Sequence, residues 1–88
     1  MHRGQITTCD AREGIKLLSA VMVIDDHAKI EYNAIETNGR WFPHIVVNKR
    51  LFITIDDKML RIHSEADAEQ CAVTLLNTVH GMVCGEDN

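Results

Sequence analysis

The dipeptide Asn38-Gly39 most constrains how this chain can fold. Both residues tolerate the positive φ angles that a two-residue type I′ turn requires, and segments rich in β-branched and aromatic residues flank them. The turn therefore predicts a hairpin of two antiparallel strands, 32–37 and 40–47. A loop of two residues also fixes the register, so that Ile35 is expected opposite Phe42.

Alternation along these strands separates the side chains into two faces. A three-residue connection at 48–50 continues the pattern into a third strand, and a turn near Asp57-Lys58 predicts a fourth strand over 59–63. One face is consistently apolar and is the predicted core face; it holds Ile30, Tyr32, Ala34, Ile45, Val47, Leu51, Ile53, Ile55, Leu60 and Ile62. Pro43 cannot donate a hydrogen bond to a ladder, so we expect it at an edge or a bulge.

A C-terminal helix is predicted after the meander, because Ser64 is a good N-cap and acidic residues follow it. Its apolar residues recur at helical spacing, namely Ala68, Ala72, Leu75, Leu76, Val79 and Val83. Gly81 is expected to end this helix early and to leave a loose tail from about residue 82.

An N-terminal helix is predicted from Asp10, which is followed three residues later by Glu13, to about residue 20. Residues 21–24 are open between the end of this helix and a fifth strand. Their β-branched side chains favour a strand, and the acidic pair Asp25-Asp26 is unfavourable at a helix C-terminus.

These elements predict a single α+β domain over residues 1–88. An N-terminal helix, an antiparallel meander of four to five strands and a C-terminal helix form two layers, with both helices on one sheet face. A domain of 88 residues buries only about 60 to 65% of its unfolded surface, which favours oligomerisation.

Composition excludes several classes of protein. The hydrophobic fraction of 45% and the charged fraction of 25% are typical of a folded globular chain rather than a disordered one. No apolar run is long enough to span a membrane and the polar start does not resemble a signal peptide, so a cytoplasmic protein is expected. Three cysteines without C-x-x-C spacing indicate reduced thiols rather than disulfides.

Motifs for catalysis, for cofactor binding and for metal binding are absent from the sequence, so a protein without enzymatic activity, cofactor or metal is expected. There is no G-x-S-x-G elbow, Gly-rich phosphate loop or H-E-x-x-H pair. His80 and Cys84 are four residues apart, but a zinc site needs about four ligands.

The second face of the meander is unusual, because about half of its residues are apolar although no helix is expected to cover it. This predicted outer face holds Glu31, Asn33, Ile35, Phe42, His44, Val46, Phe52, Thr54, Met59, Arg61 and His63. An apolar patch of this kind favours a binding site for a second copy of the chain or another protein. The predicted partner-binding residues are Ile35, Phe42, Val46, Phe52 and Met59. Alternatively, the first ten residues or the C-terminal tail fold across the patch.

Four polar members of the predicted outer face form a second candidate site, namely Glu31, His44, Arg61 and His63. An acid, two imidazoles and a guanidinium in adjacent rows can bind an anion or transfer protons. Solvated cross-strand pairs are the simpler interpretation of polar residues on a sheet face.

Single-stranded nucleic acid is the alternative partner. Residues 40–61 hold five Lys or Arg and two Asp or Glu, and Trp41, Phe42 and Phe52 are interleaved with the cations. Exposed aromatic residues on a basic sheet stack on unpaired bases. However, the chain has a net charge of −4, and several of the cations lie at predicted turns.

Overall fold

The computed structural model describes residues 5–84, which form two helices and one four-stranded sheet. In chain order the elements are β1 (Gln5–Cys9), α1 (Ala11–Ile24), β2 (Ile30–Thr37), β3 (Arg40–Val47), β4 (Leu51–Ile55) and α2 (Glu65–Cys84). The strands lie in the order β1-β4-β3-β2, so β1 and β2 are the two edges. The prediction of an α+β domain is confirmed, but the sheet is mixed rather than a pure antiparallel meander.

The predicted hairpin is confirmed in its turn and in its register. Asn38 and Gly39 have φ angles of 54° and 80°, and every pair from Ile30↔Val47 to Thr37↔Arg40 is as expected. The β3–β4 connection is also as predicted, because Val47 pairs with Leu51 across three residues. In that turn Asn48 and Lys49 have positive φ angles, which reverse the chain direction. The Arg50 N–H donates a hydrogen bond to the Val47 carbonyl across the turn.

The predicted fourth strand over residues 59–63 is wrong. This segment contains a turn and an irregular stretch, and the edge of β4 is instead paired with β1 in parallel, from Gln5↔Leu51 to Cys9↔Ile55. Backbone hydrogen bonds from the Gln5 N–H to the Arg50 carbonyl and from the Asp56 N–H to the Cys9 carbonyl extend this pairing. Because β1 occupies this edge of β4, residues 59–63 cannot pair with β4 there.

Burial nevertheless alternates through this unpaired segment. Leu60 and Ile62 are partly buried, whereas Met59, Arg61 and His63 are exposed. The alternating sequence pattern of residues 59–63 therefore predicted correctly which side chains point inward, although the segment is not a strand. An extended loop that crosses the edge of a core shows the same two-residue period as a strand.

Pro43 lies in β3, between β4 and β2, and is buried. It was expected at an edge or a bulge. The β3–β4 pairs run from Val47↔Leu51 to His44↔Thr54, and the residue beside His44, Pro43, is not paired with β4. The ladder therefore stops where the chain lacks a donor, which reconciles a proline with an inner strand.

Helix α1 begins as predicted, with the Asp10 side chain accepting a hydrogen bond from the Glu13 N–H at 2.8 Å. It continues to Ile24, so the four residues left open between helix and strand are helical. The acidic residue that follows serves as the cap: the Asp25 N–H donates to the Val21 carbonyl, and its carboxylate accepts from the His27 N–H at 3.0 Å. Asp25 was expected to be unfavourable at a helix C-terminus, but its local hydrogen bonds cap the helix there.

Helix α2 begins after Ser64, whose hydroxyl accepts from the Asp67 N–H at 3.1 Å, while the Asp67 carboxylate accepts from the His63 N–H at 3.0 Å. The first bond is the predicted N-cap, and in the second the Asp67 carboxylate reaches back to the N–H of the residue before the cap. The helix passes through Gly81 and ends at Cys84, so Gly81 does not terminate it. The remainder of the predicted tail lies outside the described residues.

The core forms between the predicted core face of the sheet and both helices. Its buried members are Leu18, Ile45, Val47, Ile53, Ile55, Ala72, Leu75 and Val79. Helix α2 contacts β2, β3 and α1, and α1 approaches β4. That approach is close at Gly14, where an added Cβ would lie 2.6 Å from Cδ1 of the buried Ile55.

Asp57 joins the loop after β4 to the start of α1. Its carboxylate accepts from the Ala11 N–H at 3.0 Å and from the Met59 N–H at 2.9 Å. These two backbone hydrogen bonds lower the pKa of Asp57 below 3.8, because they stabilise the ionised form.

Replacement of Asp57 by asparagine is expected to lower the free energy of unfolding at neutral pH. A carboxylate with a lowered folded pKa contributes stability above its unfolded pKa, and this contribution is lost as the pH falls through 3.8 toward the folded value. Urea unfolding at pH 7 and pH 3 checks this: the difference between wild type and variant should shrink at pH 3. Asp26→Asn, at an exposed site, is the control; a difference that does not change with pH contradicts the assignment.

Candidate interaction face on the outer side of the sheet

The outer sheet face is the side of the sheet opposite the core residues, and its side chains follow from the register. One row across the four strands contains Ile6, Phe52, Val46 and Glu31; the next contains Thr8, Thr54, His44 and Asn33. A third row pairs Phe42 with Ile35, and Arg40 with Thr37 ends the hairpin. This face therefore carries five apolar side chains, three on the inner strands and one on each edge strand.

Aromatic and polar side chains pack against one another on this face. The His44 and Phe52 rings stack with centroids 6.2 Å apart, and His44 Nδ1 forms a hydrogen bond with Asn33 Oδ1 at 2.9 Å. The Arg40 guanidinium lies 5.0 Å from the centre of the Phe42 ring. These contacts leave the aromatic rings only partly exposed.

The environment of His44 favours its neutral form. Partial burial lowers the pKa of His44 below 6.5, because removing the imidazolium from water is unfavourable. A neutral imidazole that stacks on Phe52 adds to the apolar character of the face at neutral pH. It does not add a positive charge.

Four of the five predicted partner-binding residues share the outer sheet face, namely Ile35, Phe42, Val46 and Phe52. Met59 does not lie on the sheet: it is in the turn after β4, where its side chain is 86% exposed. Ile6 takes a place in the row beside Phe52 and is 78% exposed. Ile6 was not among the predicted residues of this face, although the β-branched run Ile6-Thr7-Thr8 is typical of a strand.

The predicted polar set is divided by the fold. Glu31 and His44 lie on the outer sheet face in neighbouring rows. Arg61 and His63 lie in the loop before α2, so the register does not align them with the other two. Arg40, a cation on the outer sheet face, lies 4.0 Å from the Asp56 carboxylate.

The first ten residues were expected to be one of two segments that could fold across this face, and the structure describes part of them. Residues 5–9 form the edge strand β1 and extend the face instead of covering it. Residues 1–4 and the tail after Cys84 lie outside the described residues. Within residues 5–84, both helices contribute buried residues to the core cluster.

Two cysteines of the described residues, Cys9 and Cys71, are partly buried free thiols. Burial raises the pKa of the Cys9 and Cys71 thiols, and nearby carboxylates act in the same direction, so both favour the less nucleophilic protonated form. Among residues 5–84, no three His, Cys, Asp or Glu side chains are grouped to hold a metal ion. The Cys84 side chain, considered with His80 above, is outside the described part.

Neither described helix combines the length and the apolar character needed to cross a lipid bilayer. No protein-family model, curated protein or solved structure matches this chain.

Proposed function

We propose that this chain is a small non-catalytic protein-interaction module that forms a homodimer through its outer sheet face. The proposal treats the domain as two layers, with the helices on the other side of the sheet. Its main support is the set of five apolar side chains on that face, Ile6, Ile35, Phe42, Val46 and Phe52. An antiparallel sheet that meets water is normally polar on its outer side.

The size of the face predicts a weak dimer. Four strands about 4.8 Å apart and rows about 6.6 Å apart give a surface of about 400 Å² per copy. Stable interfaces bury about 800 Å² per partner. Self-association should therefore depend on concentration, with exchange between monomer and dimer.

The charges at the two ends of the face are complementary to each other. Glu31 belongs to the row at one end of the hairpin, and Arg40 belongs to the row at the other end. A two-fold axis that crosses the strands between two stacked sheets brings Glu31 of each copy toward Arg40 of the other. The same axis stacks the Phe42 row on the His44 row. One surface can thus be its own partner, as a two-fold dimer requires.

Single-stranded nucleic acid is the second candidate for this face, supported by the exposed edges of Phe42, His44 and Phe52. The placement of other residues favours it less. Alternation puts Trp41 on the core side of the sheet, away from those rings. The cations Lys49, Arg50 and Lys58 lie in turns and not in the strands that form the face. Retention of oligonucleotides that weakens steeply with salt would favour this function over the dimer.

A charge exchange tests the homodimer. Arg40→Glu alone and Glu31→Arg alone should each weaken self-association about three- to tenfold, since each disturbs two symmetric exposed ion pairs. The double variant should recover most of the loss, because the pairs reform with their charges exchanged. Sedimentation equilibrium measures the dissociation constants.

Arg12→Glu is the matched control for this exchange, because Arg12 is an exposed cation on α1 rather than on the sheet. It should leave self-association unchanged. A double variant that associates no better than the two single variants contradicts the proposed pairing of the two ends.

A further inference from the structure

The edge strand β2 presents a row of backbone groups that no strand within residues 5–84 occupies. Thr37 and Arg40 flank a two-residue turn, so they form a hydrogen-bonded pair, and the Asn48 N–H donates to the Lys29 carbonyl at the other end. Odd-numbered residues of β2 therefore direct their backbone groups toward β3. The backbone N–H and C=O groups that point away from β3, at the free edge, belong to Ile30, Tyr32, Ala34 and Glu36.

A groove lies beside this free edge, on the helix side of the sheet. It has a volume of about 250 Å³ and is lined by Met22, Ile30, Tyr32, Leu76, Asn77 and His80. That volume is below the roughly 300 Å³ at which pockets for small-molecule ligands begin. It suits one large apolar side chain. Tyr32, at its border, is 48% exposed.

The edge and the groove have the relative positions that strand addition requires. Side chains of an added strand alternate between the two sheet faces, as those of β2 do. Residues beside Ile30 and Tyr32 would point toward the helices and reach the groove. Main-chain hydrogen bonds would supply affinity, and the groove would supply specificity.

Charge decides what kind of strand can bind. β2 contains Glu31 and Glu36, both exposed, and no Lys or Arg. Glu69 lies two turns before Leu76 on α2 and hence on the same side of that helix. A second copy of β2 would bring two more acids to the edge, which is unfavourable. A strand with Lys or Arg beside Glu36 would be complementary.

We propose that the free edge of β2 and its groove bind an extended peptide segment of another protein. The segment carries an apolar side chain that enters the groove and a basic side chain beside Glu36, which alternation places on the same side of the sheet as Ile30 and Tyr32. Because Glu31 belongs to the outer sheet face, the peptide site does not use it, and a dimer through that face leaves the site open.

Selection from a displayed library of random octapeptides on the full chain tests this proposal. We expect enriched peptides that combine an apolar residue with Lys or Arg. Ala34→Pro removes the Ala34 backbone N–H, which points away from β3, and therefore breaks no β2–β3 hydrogen bond. It should lower the affinity for the enriched peptides about tenfold. Glu36→Lys tests the charge independently, by shifting the selection toward acidic peptides. Phe42→Asp should leave peptide binding unchanged.

Three results would overturn the proposal. They are a library that enriches no peptide, peptides that bind wild type and Ala34→Pro equally, and a selection that Glu36→Lys does not alter. Loss of self-association in Ala34→Pro would instead identify the β2 edge as the contact between copies, and would also contradict the peptide assignment.

Discussion

Phe42→Asp is expected to weaken self-association by on the order of a hundredfold, which makes the chain monomeric at micromolar concentrations. Phe42 lies in the row beside Ile35, near the middle of the hairpin on the outer sheet face. A carboxylate there would be removed from water in both copies of the dimer, and the Arg40 guanidinium would lose the ring it covers. Light scattering after size exclusion measures the change.

Val23→Asp is the matched control, because it places the same charge at an apolar side chain that is 72% exposed on α1. It should associate like wild type. Urea unfolding of both variants separates a lost interface from a lost fold. A folded Phe42→Asp variant that associates like wild type would contradict the assignment of the outer sheet face.

Ile45→Ala is expected to cause the largest loss of monomer stability, about 2 to 5 kcal/mol. Ile45 and Ile53 are opposite each other in the inner strands, and both are fully buried. Truncation therefore loses apolar burial and leaves a cavity between the sheet and the helices. A domain of this length has a total stability of only about 4 to 13 kcal/mol, so a large share would be lost.

Val46→Ala is the neighbouring control for this core prediction. Val46 follows Ile45 in β3 but points to the outer sheet face, where it is partly exposed. Urea unfolding at a concentration where the chain is monomeric should give a much smaller loss than for Ile45→Ala. An equal loss of unfolding free energy in the two variants would contradict the assignment of Ile45 to the core and of Val46 to the outer sheet face.

Local signals in the sequence predicted the part of the sheet that local turns determine. The Asn38-Gly39 turn and the short β3–β4 connection specify both partners and register within a few residues. Capping residues at Asp10 and Ser64 likewise located the starts of both helices. These features required no knowledge of distant segments.

Pairing between distant segments could not be predicted in the same way. Two segments, 5–9 and 59–63, were available to the edge of β4: the first is rich in β-branched residues, and inward and outward side chains alternate in the second. A parallel strand is connected through a crossover and not through a short turn, so no local turn signal marks β1. The same gap in the prediction explains the omission of Ile6 and the inclusion of Met59 among the residues of the outer face.

The most direct test of the homodimer is the molar mass in solution, measured by light scattering over a dilution series at two salt concentrations. The proposal predicts a mass that rises with concentration from the 9.9 kDa of one chain toward twice that value. The same series with Phe42→Asp should remain at the monomer mass. A wild-type mass that stays at 9.9 kDa up to about millimolar concentration would contradict self-association through the outer sheet face.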